Sequence, residues 1–227
     1  MTGFRLEDVL PLTPLQAGML FHALYDSRAV DVYTAQFVFE LEGPVGVPAL
    51  RAAVGGLLRR HANLRVGFLH EDLDEPVQAV AAEVPVPLEE LDLTGADAPG
   101  PVEDRLAAFL AADRTRRFDL ATPPLMRFTL VRTAPDRHRL VMTSHHILLD
   151  GWSMPLLVRE LFELYAHHGD DSTLPRVAPY RTYLAWLAQQ DRAAALDVWR
   201  TALAGIEAPT LLAGRGGTDV PAAGELP

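Results

Sequence analysis

Two apolar periodicities alternate along this 227-residue chain, which restricts it to a fold in which helices pack on a sheet. Pro14 to Tyr25 reads as a helix, with Thr13 as N-cap and Pro14 at the first-turn position that helices tolerate. Val32 to Leu41 reads as a strand with Phe37, Phe39 and Leu41 on one face, closed by Gly43-Pro44. Pro48 to Arg60 carries a helical stripe of Leu50, Val54, Leu57 and Leu58, and Asn63 to Leu69 returns to strand. A Pro- and acid-rich stretch reaches about Pro99, with short strands expected around Val77 to Val80. An amphipathic helix is expected from Pro101 to Arg116. Leu125 to Arg132 and His138 to Thr143 form a strand pair around Ala134-Pro135-Asp136. Helices follow at about Pro155 to His167 and Tyr180 to Ala204, with Trp186 and Trp199 expected in the core. The pattern is that of one α/β or α+β domain, and residues 205–227, rich in Gly, Pro and Ala, read as a linker.

Composition removes several function classes. There is no cysteine, so disulfides, thiolate metal sites and cysteine nucleophiles are excluded. A net charge of -10 argues against binding nucleic acid through its phosphates. No run approaches the roughly 18 apolar residues needed to span a bilayer. Met1 to Leu10 carries Arg5, Glu7 and Asp8 and does not resemble a signal peptide, so a cytoplasmic protein is expected.

The segment Ser144-His145-His146-Ile147-Leu148-Leu149-Asp150-Gly151-Trp152-Ser153 concentrates the chemistry. The apolar strand residues Leu140, Val141 and Met142 run into a turn and then a helix, which would hold a histidine rigidly at the strand end. An imidazole titrates near neutrality and suits proton transfer. Asp150 would orient the loop by pairing with an arginine, or lie near the imidazole, and helix-start N–H groups could face an oxyanion. A His-His pair alone is more often structural than catalytic. His146 and Asp150 could both ligate zinc, but no third ligand follows at a recognisable spacing and adjacent strand residues face opposite ways, so no metal is expected.

His145-His146-x-x-x-Asp150-Gly151-Trp152-Ser153 resembles the active-site motif of condensation domains of non-ribosomal peptide synthetases. Four further segments are similar to that family in the same order: Leu12-Thr13-Pro14-Leu15-Gln16-Ala17-Gly18-Met19-Leu20-Phe21-His22, Arg60-His61-Ala62-Asn63-Leu64-Arg65-Val66-Gly67-Phe68, Phe118-Asp119-Leu120 through Pro124-Leu125-Met126-Arg127, and Tyr180-Arg181-Thr182-Tyr183-Leu184-Ala185-Trp186. The resemblance implies a chloramphenicol acetyltransferase-like lobe, an α+β sandwich with a mixed sheet flanked by helices. Residues 1–204 would be the N-terminal lobe and 205–227 a linker towards a missing C-terminal lobe.

The activity it implies is amide formation between two thioesters on the phosphopantetheine arms of upstream and downstream peptidyl carrier proteins, with no cofactor bound by the domain itself. His146 would accept the amine proton or position the amine, with Asp150 and Gly151 shaping the loop. Gly151 would allow a tight turn and close backbone approach. His145 would point away from the site, Trp152 would pack under the loop beside Ser153, and Arg65 or Arg60 would pair with Asp150. Histidines at 145 and 146 speak against a cyclisation domain, and Trp152-Ser153 directly after Gly151 against an epimerisation domain. The opening helix, Tyr33 with Gln36, and Leu148-Leu149 resemble the subtype that takes a D-configured donor, which implies an epimerisation domain upstream and makes Gly18 and Leu149 the gating candidates. Ala17 departs from the family's glutamate, and Gly18 from the arginine of the L-donor subtype. Two alternatives stay open: a non-catalytic condensation-like module that recruits a partner enzyme, and an acyltransferase that uses a CoA thioester.

Overall fold

The computed structural model describes residues 4–25, 30–95 and 100–208, so most of the expected linker lies outside the described residues. The chain divides into two compact units, Met1–Ala185 and Trp186–Pro227. Among the described residues no helix is long and apolar enough to cross a membrane.

The first unit holds two sheets. Strands β1 (Leu6–Pro11), β3 (Val66–Leu69) and β4 (Val77–Ala81) form an antiparallel sheet in the order β1-β4-β3. Strands β2 (Thr34–Glu42), β5 (Leu88–Asp92), β6 (Met126–Ala134) and β7 (Arg137–His145) form a second sheet in the order β2-β7-β6-β5. It is mixed, because β5 runs parallel to β6 while the other pairs are antiparallel. β7 is paired along its length on both sides, with Thr34 opposite His145 and Met126 opposite Ser144.

The pleat assigns the two faces of this sheet to different helices. Leu140 and Met142 of β7 and Phe128 of β6 enter the main core. There they meet α2 (Val47–Arg60) through Leu50, Val54, Leu57 and Leu58, and α4 (Ser153–Ala166) through Leu157, Leu161 and Leu164. Each such side chain contributes about 1.5–3 kcal/mol by leaving water. On the other face, Val131 and Val141 pack with Leu93 against Val102, Leu106, Phe109 and Leu110, which include the apolar stripe of α3 (Val102–Thr115). The strand-and-helix reading of the sequence and the α/β class therefore hold.

α3 is also bolted to the sheet by charge. Asp113 is buried, and its carboxylate accepts hydrogen bonds from Arg127 Nε at 2.6 Å, Gln36 Nε2 at 2.8 Å and the Thr143 hydroxyl. Burial pushes its carboxyl up, but the hydrogen bonds from Thr143, Arg127 and Gln36 outweigh that and hold it below the usual range. Arg127 also lies 4.4 Å over the Phe118 ring.

Three parts of the sequence reading need correction. The strand expected from Asn63 begins at Val66, after a 3-10 turn over Ala62–Arg65. There Phe68 N–H reaches Leu120 O at 2.7 Å, and a Cβ on Gly67 would lie 2.5 Å from Ala121 O, so only glycine allows the approach. The long C-terminal helix is two, α5 (Tyr180–Ala188) and α6 (Arg192–Ala202), because Asp191 caps the second by accepting from Ala194 N–H at 2.9 Å. Trp186 and Trp199 are more than half exposed and not core residues.

Candidate functional site

α1 (Pro14–Tyr25) opens on a reciprocal cap. Gln16 N–H donates to Thr13 Oγ1 at 3.2 Å, and Thr13 N–H donates to Gln16 Oε1 at 2.9 Å. Leu15 and Met19 of this helix line a cavity of about 710 Å3 together with His146, Leu149 and Asp150, and Tyr180 and Tyr183 of α5 also line it. Burial pushes the Tyr180 phenol up to about 12, with Tyr183 adding to the shift, so it remains a hydroxyl donor at working pH.

The two histidines leave β7 in opposite directions, as strand alternation requires. His145 is fully buried and does not line the cavity. Its Nδ1 accepts from Ile147 N–H at 3.1 Å, so the ring proton sits on Nε2, which donates to Asp31 Oδ2 at 3.2 Å. Asp31 also accepts Tyr33 N–H at 3.0 Å and lies 3.8 Å from Arg117 Nη2. Burial pulls the His145 imidazole below its usual range, and the attraction of Asp31 only partly offsets it. His145 is thus a neutral buried anchor.

His146 faces the cavity and is exposed. Its backbone N–H donates to Tyr33 O at 2.8 Å, and its ring Nδ1 lies 3.0 Å from Leu149 O. A carbonyl oxygen only accepts, so Nδ1 carries the proton and Nε2 presents its lone pair. Among the described residues nothing is bonded to Nε2. In its neutral form the imidazole is thus held in one tautomer by Leu149 O.

Among the described residues Asp150 meets no arginine, contrary to expectation. Its exposed carboxylate accepts Ser153 N–H at 2.8 Å and Ser153 Oγ–H at 2.7 Å, which ties the loop to the first residue of α4. These bonds, the hydroxyl's first, hold its carboxyl below the usual range. The arginines are committed elsewhere. Arg65 Nε donates to Leu58 O at 2.8 Å, and its Nη1 reaches Glu7 at 2.7 Å and the Ala81 carbonyl. Arg60 Nε donates to Glu160 at 2.9 Å and the same guanidinium reaches Asp171 and Pro175 O. Burial raises the Glu160 carboxyl, but hydrogen bonds from His61, at 2.7 Å, and Arg60 bring it below the usual range.

Other expectations at this loop also change. Trp152 is 88% exposed and does not pack beneath the loop. Gly151 has no positive φ, and a Cβ there would meet nothing within 4 Å, so the chain itself does not demand glycine. Ser153 N–H is taken by Asp150 and Pro155 has no N–H, which depletes the helix start of oxyanion donors. Leu149 lines the cavity, whereas Gly18 does not, although a side chain at 18 would find open space. Gln36 belongs to the Asp113 network, its Nε2 donating to Asp113 at 2.8 Å and to Leu110 O at 3.2 Å. Among the described residues no three His, Asp or Glu side chains converge as metal ligands would.

Two partners of the loop lie beyond what the sequence signals. Asp31 carries no local signal, because its partner is 114 residues away. Gln16 is visible only inside the opening motif, although Thr13-x-x-Gln16 is a capping-box spacing.

The family model described as "Condensation domain" matches residues 6–223. A linear gramicidin synthase polypeptide of Brevibacillus parabrevis is 43% identical over 212 residues, which are 91% of this chain and 4% of that protein. Bacitracin synthase 1 of Bacillus licheniformis is 34% identical over 214 residues, 91% of this chain and 4% of that one. The starter condensation domain of rhizomide synthetase has the same fold, with a TM-score of 0.76 at 21% identity over 89% of this chain and 50% of that one. The first condensation domain of the calcium-dependent antibiotic synthetase, in complex with a substrate analogue, gives 0.76 at 24% identity over 94% and 51%. The chain thus spans a small part of these synthetases and about half of each solved domain. With the family model matched over residues 6–223, this chain belongs to the condensation-domain family.

Proposed function

We propose that this chain supplies the histidine-bearing lobe of a site that forms amide bonds in non-ribosomal peptide synthesis, an acyltransferase-type condensation. The donor is a peptidyl or aminoacyl thioester on the phosphopantetheine arm of an upstream carrier protein. The acceptor is an aminoacyl thioester on the arm of a downstream carrier. The acceptor amine attacks the donor carbonyl, a tetrahedral adduct forms, and its collapse breaks the C–S bond and expels the donor thiolate. The proton lost by the amine passes to His146 Nε2 and from there to the thiolate. Holding both thioesters at one cavity supplies proximity.

One observation carries this reading: His146 lines the cavity with its Nδ1 held by Leu149 O, which leaves Nε2 as the nitrogen that can accept a proton. Asp150 and Ser153 keep the loop and the start of α4 in place and exchange no proton with substrate. Residues 1–204 make up the lobe, residues 205–227 lead on from it, and a second lobe closes the other wall. The test is His146→Ala in a two-lobe domain that contains this chain, assayed with two loaded carriers and mass spectrometry of the product thioester. Turnover should fall by about 10^2- to 10^4-fold, the usual reach of a general base. A folded variant that makes product at the wild-type rate would overturn the assignment.

The finer reading is that the donor ends in a D-configured residue, delivered by an epimerisation domain upstream. Its support is the opening helix with Gly18 in place of a bulky cation, and Leu149 on the cavity wall. Donors differing only in the configuration of the last residue should differ at least about tenfold in kcat/KM, equivalent to ~1.4 kcal/mol and within reach of one steric clash. Equal rates, or a preference for the L-donor, would remove the subtype and leave amide formation standing.

A further inference from the structure

We propose that Gln16 is a positioning residue for His146, acting through the carbonyl of Ile147. The inference rests on the reading of His146 as the working imidazole. Gln16 is 6% exposed, and every arm of its amide is used. Oε1 accepts Thr13 N–H at 2.9 Å, which settles the amide's orientation and turns the NH2 group the other way. That group donates to Ile147 O at 3.2 Å and to Gln78 Oε1 at 3.0 Å. Gln78 is itself fixed, because it is fully buried and its Nε2 donates to Pro11 O at 2.7 Å. A chain of hydrogen bonds therefore runs from β1 through two glutamines into the catalytic loop.

Its end point matters because of where Ile147 lies. Residues 146–148 form a turn, with Leu148 N–H bonded to His145 O at 3.1 Å. The Ile147 carbonyl leaves that turn two residues before Leu149, whose own carbonyl holds the His146 Nδ1 proton. Ile147 is 2% exposed, so water does not readily replace the lost donor. With Gln16 in place, the peptide after Ile147 is fixed, Leu149 O stays opposite Nδ1, and Nε2 remains the unprotonated nitrogen. Without it the peptide can rotate, Leu149 O leaves the ring, and the proton spreads over both nitrogens. The first effect falls on the chemical step and not on substrate affinity.

Gln16→Glu separates this role from capping. Glutamate is a standard partner in a capping box, so the Thr13 bond and the start of α1 survive. Its second oxygen replaces Nε2 and meets Ile147 O with no proton to offer when ionised. In a two-lobe domain bearing this chain, kcat should fall about 10- to 100-fold with KM unchanged, the range in which outer residues orient metal-bound imidazoles. Long-range 1H–15N spectra of the histidine-labelled 227-residue chain should show His146 protonated at Nδ1 in the wild type and mixed between nitrogens in Gln16→Glu. If that variant does not fold, Gln16→Met, which keeps the length without charge, is read in the same two ways. A folded variant with wild-type kcat and an unchanged His146 spectrum overturns the proposal. So does failure of both variants to fold, which would make Gln16 a core residue only. The spectrum also separates this inference from the reaction itself, since it reports the tautomer even if His146→Ala proves active.

Discussion

Replacing Asp150 with alanine tests what this carboxylate does. In the folded chain it is exposed, and it accepts two hydrogen bonds from Ser153, at 2.8 and 2.7 Å. Losing them frees the first residue of α4 from the loop in the way a lost cap would, which costs about 1 kcal/mol within a range of roughly 0.5–2. For a chain of this length that lowers the melting temperature by about 2–4 °C per kcal/mol. Had Asp150 neutralised a buried arginine, the same substitution would strand a cation and cost about 3–5 kcal/mol. Arg65 and Arg60 already have their own acceptors, so the small value is expected. Thermal and urea melts of wild type, Asp150→Ala and Asp150→Asn give the answer, and the asparagine variant should recover part of the loss because its amide oxygen still accepts. A loss of 3 kcal/mol or more in the alanine variant, with an unchanged urea slope, would refute this reading of Asp150.

The buried Asp113 network should behave in the opposite way. Arg127→Met leaves the Asp113 carboxylate buried without its main cation, at a cost of about 3–5 kcal/mol by urea unfolding, and a loss below about 1 kcal/mol would contradict the burial argument. The pH dependence follows from His145, whose folded-state pKa lies below the unfolded value near 6.5. The unfolded chain therefore binds the extra proton first on acidification, so this contribution is complete above pH ~6.5 and is lost as pH falls through the folded pKa. The wild type should melt lower at pH 5 than at pH 7.5, and His145→Gln should flatten the slope; equal slopes would mean that His145 titrates normally. The depressed carboxyls of Asp113 and Glu160 act below that window, adding stability that disappears only in stronger acid.

How far the fold can be read from the sequence depends on where each segment sits. Central strands and amphipathic helices show their periodicity because one face is buried: Leu140 and Met142 face one way and Val141 the other. β1 and β5 lack such a signal for a shared reason. Leu6–Pro11 and Leu88–Asp92 lie at sheet edges, carry several acidic residues, and β1 ends on proline, as edge strands do. Asp191 breaks the last helical region with a cap whose residue type is a legible stop, although the apolar pattern runs on past it. At the site, the position of His146 is legible in a short motif. The partner of His145 is not, because local spacing says nothing about which charge a fold brings across 100 residues. Asp150 takes its donors from three residues away, and His145 meets Asp31 at a distance of 114.

The double pairing of β7 has a consequence for the identity of the reagent. Neighbouring residues on a strand face opposite sides, so a slip of one position would exchange them. It would bring His145 to the cavity mouth and set Ser144 beside Asp31. The two imidazoles are chemically identical in isolation, and which one becomes the base is a matter of parity. That parity is enforced from both flanks, by Thr34 opposite His145 on β2 and by Met126 opposite Ser144 on β6. Deletion of one residue between the β6–β7 turn and His145 would therefore carry Ile147 into the place of His146 and switch the chemistry off without touching either histidine, whereas an insertion would hand the role to His145.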